Sequence, residues 1–472
     1  MKKGLFALLL ATAFANAQPP AGGPPPQAIE ACRGQSRGDQ CSFRAPHGQI
    51  SGSCHQVPEG LICVPDFAGH APAGDNQAGR MSPNFGPAQA KQPSARFGND
   101  RAGASGHQGA PMGADIASTD DKARQVTSRI PDTQQGSCFD TRGMIDCPQP
   151  GQAFFGQDAQ YAGAGPSYAV QDGIVSDRIT GLIWQQAHNA DRLSWPAAQQ
   201  ACAQLALGGF TDWRLPSIKE LFSIADFRGS VGRRPYLDEV FEIREPDASI
   251  LQDDPFASTH TTDMMGQTWS ATLYSGDHWD RKGVEAAFFM NFLDGHIKQA
   301  PTDGGRSELF YRCVRGESWG ANDFVDNGNG TVTDRASALT WQQSDDGRAR
   351  NWQQALTYCE ELDLAGHSDW RLPNIKELQS IVDYTHHDPA LDLSVFRQQD
   401  HRGWFWSSTT HGDNIQQADY ICFGKCTSTE GIDVHGAGAQ RSDPKDSSVQ
   451  RRSSQGGQRD EIRVDNYVRC VR

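Results

Sequence analysis

Apolar residues are scarce in this sequence, and its one long apolar run lies at the N-terminus. Only 37% of the 472 residues are hydrophobic, whereas globular proteins average about 45–50%, so part of the chain is not expected to build a core. The net charge of −14 argues against nucleic-acid binding, because that partner requires a basic surface. Later runs fall short of the about 18 apolar residues of a membrane span, so we expect no membrane insertion by the mature chain.

Signatures of common catalytic machinery are also missing. The sequence has no G-x-S-x-G elbow, no phosphate-binding P-loop and no H-E-x-x-H motif, so we expect no catalytic residue and no cofactor. Asp369 and Arg371 are better explained as residues that tie a loop to backbone amides and cap the next helix than as a catalytic pair. Glu220 and Glu377 are interpreted as solvated or structural charges.

Potential metal ligands are explained more simply by local structure. Asp326, Asn327 and Asn329 offer oxygen ligands that suit calcium, but Asn-Gly pairs also indicate a tight hairpin turn, which we favour. The adjacent His386 and His387 point in different directions on most backbones, and spacing fixes no third ligand. We therefore expect no metal site. Asp334 belongs to the calcium-type set and Asp388 to the histidine set, and the other loosely spaced candidates are His411, Asp413 and His435.

The first seventeen residues have the layout of a secretory signal peptide. Lys2 and Lys3 precede an apolar run from Leu5 to Phe14, and residues 15–17 supply a small-residue cleavage site. The residues just after this site include no cysteine for a lipid anchor. We expect cleavage after residue 17 and a location that is secreted, periplasmic or on the bacterial cell surface.

The twelve cysteines, an even number, suit the oxidising compartment that this signal implies. Residues 28–66 hold four of them in a small module that resembles four-cysteine segments near the N-termini of some bacterial exported proteins. Its three disulfide pairings cannot be distinguished from sequence, and zinc is disfavoured because paired C-x2-C knuckles are missing. The cysteines are Cys32, Cys41, Cys54 and Cys63 in this module, then Cys138 with Cys147, Cys202 with Cys313, Cys359 with Cys470, and Cys422 with Cys426.

Residues 67–137 are rich in Gly, Pro, Ala and Gln and show no sustained helical or strand period. Such a composition cannot bury enough apolar surface to offset the entropy of ordering it. We therefore predict a disordered linker. A short connector at residues 138–169, which contains one disulfide, leads from this linker into the rest of the chain.

An internal repeat determines the domain organisation. The run TDWRLPSIKELFSIAD at Thr211–Asp226 returns as SDWRLPNIKELQSIVD at Ser368–Asp383, 157 residues later. This agreement predicts two tandem domains, which we call copy one (residues 170–316) and copy two (residues 324–472). Further pairs at the same separation are Trp195 with Trp352, Cys202 with Cys359, and Cys313 with Cys470.

Each copy is predicted to begin with a hairpin and to contain two helices. In copy two, Asn351 can cap a first helix over residues 351–366, and a second follows over residues 374–384. Helical spacing places Cys359 on the buried face of the first helix, so we expect it to face Cys470 on the last strand. Cys202 and Cys313 are expected to pair in the same way.

The repeated DWRLP runs, the preceding GTVTDRASALTWQQ and the terminal RCVR resemble the Lcl C-terminal domain, named after a bacterial collagen-like adhesin. The resemblance covers residues 170–315 and 324–472. It implies an α+β architecture of two tandem C-type-lectin-like domains, each with two helices, a small antiparallel sheet and a disulfide from first helix to last strand. The namesake is associated with sulfated polysaccharides, but this chain is acidic and has no collagen stalk, so its ligand stays open.

These features predict an exported, non-catalytic binding protein, adhesin-like, that recognises a surface glycan or protein through loops of the lectin-like domains. The alternatives are an exported enzyme on a scaffold like that of formylglycine-generating enzymes, which would need a free thiol, and a structural envelope component. The oligomeric state stays open. The expected ligand-binding residues are Trp404 (or else a core aromatic), Asp413, Asn414, Arg451 and Arg452, with Arg441, Lys445, Arg459 and Arg463 as further basic candidates.

Overall fold

In the computed structural model, the four-cysteine module belongs to one unit, residues 1–117, and both copies of the repeat belong to a second, residues 118–472. The signal peptide and residues 66–123 of the expected linker lie outside the described residues. Among the described helices, none combines the length and the apolar character needed to cross a bilayer. The structure describes residues 26–36, 39–45, 48–57, 60–65, 124–126, 128–189, 191–230, 234–243, 266–303, 307–449 and 459–472.

The four-cysteine module is a short helix beside a three-stranded antiparallel sheet in the order β1-β2-β3. Its disulfides join Cys32 to Cys54 and Cys41 to Cys63, which selects one of the pairings that the sequence leaves open. All four cysteines are buried, and a module this small depends on such cross-links because its apolar core is small. Its elements are α1 (Pro26–Glu30), β1 (Gln40–Ala45), β2 (Gly48–Val57) and β3 (Gly60–Pro65).

The connector before copy one is folded. It contributes an antiparallel pair of short strands closed by the Cys138–Cys147 disulfide, and one strand that pairs in parallel with Arg124–Gln125 of the expected linker. A 3₁₀ turn spans Asp158–Gln160. The strands are β4 (Arg124–Gln125), β5 (Cys138–Phe139), β6 (Met144–Ile145) and β7 (Tyr161–Ala162).

The expected end of the disordered linker at residue 137 is wrong, because residues 128–137 are ordered by contacts with the two copies. Ile130 lies in the core, and Thr133 is fully buried. The side chain of Gln135 exchanges two hydrogen bonds with the backbone of Thr410, at 2.8 and 2.9 Å. The segment has no periodic pattern because tertiary contacts, and not a regular element, hold it.

Within its described residues, each copy has two short helices and two small antiparallel sheets. The first sheet of copy one has the order β14-β10-β9-β8, and the other sheets run in chain order. Copy one contains β8 (Tyr168–Gln171), β9 (Ile174–Asp177), β10 (Ile183–Gln185), α2 (Trp195–Ala203), α3 (Ile218–Ser223), β11 (Gln267–Leu273), β12 (Ala286–Asn291), β13 (His296–Pro301) and β14 (Val314–Arg315). Copy two contains β15 (Phe324–Asp326), β16 (Thr331–Asp334), β17 (Leu339–Gln342), α4 (Trp352–Glu360), α5 (Ile375–Ser380), β18 (Trp404–Thr410), β19 (Gln417–Cys422) and β20 (Gln440–Pro444).

The helices of copy two begin where the sequence predicts but end earlier. Asn351 caps α4 through its side chain, and Asn374 caps α5 in the same way. The predicted end of the first helix at residue 366 is wrong, because residues 361–367 form a tight turn in which Leu364 and His367 exchange backbone hydrogen bonds of 3.1 Å. Ala365 and Gly366 have φ values of 57° and 77° in this turn, a left-handed conformation that favours glycine.

The two copies share one hydrophobic core. Leu221 and Phe222 of α3 belong to the same buried cluster as Leu378 of α5. Two further clusters, one in each copy, surround the disulfide of that copy. The tandem domains are therefore not independent, because the inner face of each is covered by the other.

Two lysines cross this contact reciprocally and explain the early end of the second helices. Lys219 Nζ donates to the carbonyl of Ser380, the last residue of α5, at 2.7 Å. Lys376 Nζ donates to the carbonyl of Ser223, the last residue of α3, at 2.9 Å. Each copy thus donates a hydrogen bond to the terminal carbonyl of the other copy's helix, where the helix itself supplies no donor.

Candidate functional site

The charged residues of the repeated DWRLP motif hold a loop to the start of the second helix. In copy two, the Arg371 guanidinium makes two hydrogen bonds to Glu377, at 2.6 and 2.7 Å, and both side chains are buried. Glu377 also accepts from the Asn374 backbone amide at 3.0 Å, which completes a capping box. Arg214 and Glu220 repeat the pair in copy one, at 2.7 and 2.6 Å. Glu377 and Glu220 are buried, so the structural interpretation of these charges holds.

The aspartate that opens this motif binds an arginine side chain and not the backbone amides that the sequence suggests. Asp369 binds Arg472 at 2.8 and 3.1 Å, and Asp212 binds Arg315 at 2.7 and 3.0 Å in copy one. The expectation that Asp369 and Arg371 together cap the helix is therefore corrected, since Asp369 ties the loop to the C-terminal residue. The charges of both motifs are engaged in ion pairs.

The cysteines pair as expected in both copies. Cys202 bonds Cys313 and Cys359 bonds Cys470, each across 111 residues, and these bonds tie the first helix to the segment before the terminal β-bridge. Cys422 bonds Cys426 within copy two. No described cysteine is free, so thiol chemistry has no candidate nucleophile among the described residues.

A stack of three aromatic rings lies where the copies meet. His411, just after β18, inserts between Tyr236 and His296 of copy one, with ring centroids 5.7 and 4.6 Å from its own. The Tyr236 hydroxyl donates to Asp413 Oδ1 at 3.1 Å and accepts from the Asp413 amide at 3.0 Å. Tyr274 follows the matching strand of copy one and reaches across to hydrogen-bond Asp433 of copy two.

The two histidines of this stack differ in charge. Burial lowers the pKa of His411, but the carboxylates of Asp419, at 2.9 Å, and Asp413, at 3.6 Å, outweigh it and raise the pKa to about 10. Burial, together with the cations of Arg441 and His411, holds the pKa of His296 well below its usual range despite Asp294. At neutral pH a charged His411 therefore stacks on a neutral His296.

His296, His411 and Asp419 place ligand-type atoms within 4.8 Å of one another, which invites comparison with a metal centre. A metal bound by two imidazoles lies in the plane of both rings, because the nitrogen lone pairs lie in those planes. The rings are within 11° of parallel and 4.6 Å apart, so their lone pairs do not converge. The cluster fits a charged ring stack better than the tetrahedral arrangement of zinc sites.

A second contact between the copies reaches the surface and holds a strained tryptophan. Trp279 and Asp280 have φ values of 54° and 53°, a left-handed conformation that bulky residues rarely adopt. Copy two supports it, since Trp279 Nε1 donates to the Val434 carbonyl at 3.0 Å and Lys425 pairs with Asp280 at 2.6 Å. Trp279 is half-buried, so part of the indole faces solvent.

Two guanidinium groups flank this indole. The Cζ atoms of Arg281 and Arg459 lie 5.2 and 4.9 Å from the ring centroid of Trp279, within the range of cation–π contacts. Both arginines are exposed. We call this group, with residues from both copies, the Trp279 surface; it consists of Trp279, Arg281, Lys425 and Arg459.

The sequence model of one protein family matches the chain twice, at residues 173–315 and 330–472, which together are more than half of its length. The chain belongs to the Lcl C-terminal domain family. The two matches coincide with the two copies and confirm the tandem Lcl arrangement that the repeat predicts. Searches among curated proteins and among solved structures found no match.

Most residues expected to bind a ligand have other roles in the Lcl copies. Trp404 is fully buried, stacked on Tyr420 with centroids 5.1 Å apart, so it is the core aromatic that the sequence leaves as an alternative. Asp413 contacts Tyr236 of copy one, and Asn414 accepts from the Gln416 amide at 3.2 Å within a turn. Arg451 and Arg452 lie outside the described residues.

Two further basic candidates are buried in copy two. Arg441 pairs with Asp460 at 3.3 Å, and the Tyr420 hydroxyl also donates to Asp460, at 2.5 Å. Lys445 donates to Thr410 Oγ1 at 2.9 Å and lies 4.2 Å from the Trp352 ring centroid. These charges stabilise the β18-β19-β20 sheet from within and are not available to a surface ligand.

The loosely spaced histidines and acids also find local partners. Asp326 accepts from the Gly328 amide at 2.8 Å, and Gly328 has a φ of 69°, which is the hairpin turn that the sequence favours over calcium. His386 lies 2.8 Å from Asp383, whereas His387 faces Ser275 of copy one at 3.3 Å. The two adjacent histidines therefore point to different partners.

The sequence does not reveal Tyr236, His296 and Trp279 as residues of a site. The available signal for the ring stack was the repeat itself, since Tyr274 and His411 occupy matching positions after the WSAT and WSST runs. Contacts between the copies are otherwise invisible in the sequence, because their residues are more than 100 positions apart.

We expect His411 to make the stability of the chain depend on pH. Native His411 keeps its proton up to a pH of about 10, whereas an unfolded histidine loses it near about 6.5. Its stabilising contribution is therefore complete below about pH 6.5 and is lost as the pH rises toward 10. Urea unfolding at pH 7, 8 and 9 should show wild type losing about 1.4 kcal/mol more per pH unit than His411→Gln. Parallel profiles would contradict the assignment of charge.

Proposed function

We propose that this chain is an exported, non-catalytic binding protein that recognises an acidic glycan on a cell surface through the Trp279 surface. Export to a secreted, periplasmic or cell-surface location suits a chain with six disulfides, because oxidising compartments preserve them. Adhesion is the role that this proposal favours. The proposed binding residues differ from those expected from the sequence, because they lie on a surface to which both copies contribute.

The observation that carries the proposal is the strained, half-buried Trp279 held between the copies. Strained backbone costs about 1–3 kcal/mol and persists where surrounding contacts enforce it, often at ligand sites. Here the enforcing contacts come from Val434 and Lys425 of copy two. A flexible loop would present an indole without this cost, so the rigid placement favours a binding role.

The chemistry of this surface suggests an acidic ligand. Arg281 and Arg459 offer planar guanidinium groups, which bind carboxylate or sulfate groups through paired hydrogen bonds. The indole between them offers an apolar edge to a sugar ring or its substituents. The net charge of −14 repels polyanions at long range, so binding would depend on these two arginines and would weaken in salt.

The absence of a free thiol among the described cysteines supports a binding role over the formylglycine-type enzyme, which needs reactive cysteines. The ion pairs of the DWRLP motif point the same way, since Arg371 and Glu377 are buried and mutually satisfied. Charges arranged in this way stabilise a scaffold and do not meet a substrate.

We also propose that each copy has a C-type-lectin-like fold. Two short helices, a small antiparallel sheet and a disulfide from the first helix to the segment before the terminal β-bridge support this relation. In such a scaffold the loops between the later strands contact ligands. Trp279 lies between β11 and β12 of copy one, and Lys425 lies between β19 and β20 of copy two.

We expect the full-length chain to bind acidic glycans on an array and to lose that binding when its surface arginines are removed. The double variant Arg281→Gln/Arg459→Gln should reduce affinity about tenfold or more for each arginine, because a charge-assisted hydrogen bond contributes about 1.5–3 kcal/mol. Trp279→Asn should also reduce it, and asparagine tolerates the left-handed backbone. Titration of each variant with the array's best glycan measures the loss.

The matched control is Arg335→Gln, which removes an exposed charge of copy two that lies 3.9 Å from Asp323. It should bind as wild type does. Equal affinities for the control and the double variant would contradict the proposal. Attachment to cells that survives glycosidase treatment and is lost after protease treatment would assign a protein ligand instead.

A further inference from the structure

Lys219, Asn322 and Asp334 meet where the two copies are joined. Lys219 lies on α3 of copy one, Asn322 lies in the segment between the copies, and Asp334 ends β16 of copy two. Lys219 Nζ is 2.8 Å from Asn322 Oδ1, and Asn322 Nδ2 is 3.0 Å from Asp334 Oδ2. The Asn322 carboxamide therefore lies between the Lys219 amine and the Asp334 carboxylate and is hydrogen-bonded to both.

The hydrogen bonds fix the orientation of the carboxamide. A protonated lysine only donates, so the Asn322 atom that faces the ammonium group is the oxygen. Nδ2 donates to two acceptors, Asp334 Oδ2 and the Ser380 carbonyl, each at 3.0 Å. The carbonyl side of Asn322 thus faces the amine, and its amino group faces the carboxylate.

The surroundings of Lys219 direct its lone pair toward Asn322. Nζ also donates to the carbonyls of Gly320, at 3.1 Å, and Ser380, at 2.7 Å. When the amine loses the proton that faces Asn322, its two remaining N–H groups keep these carbonyls as partners. Burial lowers the pKa of Lys219 to about 8 despite the opposing effect of Asp334, so the neutral, nucleophilic amine is accessible near neutral pH.

We propose that Lys219 and Asn322 form an intramolecular isopeptide bond, with Asp334 as the proton carrier. Nζ attacks Cγ of Asn322, the new Nζ–Cγ bond forms, and the Cγ–Nδ2 bond breaks. Once Nζ is bonded to Cγ, which also carries Nδ2, its surplus proton passes to Asp334 Oδ2, the atom hydrogen-bonded to Nδ2. Asp334 then transfers this proton to Nδ2, and Nδ2 leaves as ammonia. One amine and one primary amide become one secondary amide and one ammonia, with no oxidant or reductant, and the fold supplies the proximity that makes the step feasible.

The matched lysine of copy two provides an internal control. Lys376 occupies the position of Lys219 in the repeat, and its Nζ donates to the main-chain carbonyls of Asp132 and Ser223, at 3.0 and 2.9 Å. Burial lowers its pKa to about 8 as well. Lys376 thus matches Lys219 in position and in its lowered pKa, but its acceptors are backbone carbonyls, so it should stay unmodified.

Such a bond would join α3 of copy one covalently to the segment that leads into copy two. Each of the two long-range disulfides links residues within one copy, whereas this bond would link copy one to the segment that precedes copy two. An adhesin under tension would then transmit force past the joint without separating the shared core. The bond itself rests on the chemistry of Lys219 and is independent of the ligand of the Trp279 surface, whereas this mechanical role rests on the proposed function in adhesion.

Peptide mapping of the full-length chain, reduced and unfolded before trypsin digestion, tests the bond. Trypsin cannot cleave after a modified Lys219, so the expected product is residues 215–228 linked to residues 316–335, lighter than their sum by one ammonia. Cyclisation of an N-terminal glutamine also releases ammonia, so the linked peptide decides the question and the intact mass alone does not. The peptide bond after Lys376 should be cleaved normally.

The variants Lys219→Arg and Asn322→Ser should abolish the linked peptide, and Asp334→Asn should abolish or greatly slow its formation in protein that still melts cooperatively. Recovery of residues 215–219, 220–228 and 316–335 as separate peptides from wild type would overturn the proposal. Since that measurement needs no variant, a folding defect in a mutant cannot obscure the outcome.

Discussion

Replacing both Cys359 and Cys470 with alanine is expected to lower the free energy of unfolding by about 4–5 kcal/mol. The bond joins α4 to the segment beside the terminal β-bridge across 111 residues, and the entropy removed from the unfolded chain grows with loop length, reaching about 4.7 kcal/mol for a loop of 100 residues. Urea unfolding of the full-length chain under oxidising conditions measures the loss.

The Cys422–Cys426 bond of the same copy is the matched control. Its cysteines are as fully buried as Cys359 and Cys470, so both double alanine variants lose similar contacts. Its sequence separation is 4, so the entropic contribution falls to about 2 kcal/mol in the same treatment. Equal losses for the two variants would show that local contacts, and not loop closure, account for the effect.

Glu377→Gln is expected to cost about 3–5 kcal/mol, because it leaves Arg371 as an uncompensated buried cation. The Arg371 side chain is 4% exposed and that of Glu377 is 3% exposed, so water cannot replace the lost carboxylate. Burial opposes the charge of Arg371, but Glu377 outweighs it and raises the pKa of Arg371. The arginine therefore keeps its proton, and the cost appears as lost stability in urea unfolding.

Glu220→Gln makes the same change at the matching position of copy one. Its partner Arg214 is 34% exposed and can turn toward water, so the loss should be clearly smaller, about 1–2 kcal/mol. A loss at Glu220 as large as that at Glu377 would contradict the view that burial of the arginine sets the cost. The repeat thus supplies two versions of one ion pair that differ mainly in solvent access.

The local features of the copies could be predicted because each depends on neighbouring residues. Asn351 and Asn374 cap helices as the sequence indicates, since a cap needs only the amides two or three positions ahead. The pairing of Cys359 with Cys470 followed from helical spacing and the repeat. The helix ends could not be predicted, because α5 stops where Lys219 of the other copy takes the carbonyl of Ser380.

The candidate sites were less accessible to sequence reasoning. Trp404, the expected ligand residue, is buried. Trp279, for which the sequence gives no signal of a binding role, is held at the surface by the other copy. An aromatic residue in a polar region has the same local pattern whether it is exposed or buried. The deciding contacts are with strands and loops of the other copy.

The sequence is sufficient to predict two Lcl copies, a disulfide that closes each of them, and the asparagine caps of the two helices in copy two. Repeats are visible as matching runs, and caps and periodicity depend on residues close together in the chain. Three features appear only in the folded chain: the core that the copies share, the insertion of His411 between two rings of copy one, and the hydrogen bonds that link Lys219 to Asn322 and Asn322 to Asp334. These contacts join residues far apart in the chain. They depend on how the apolar faces of the two copies pack against each other. The relative orientation of the copies produces no periodic pattern in the sequence, so it could not be predicted.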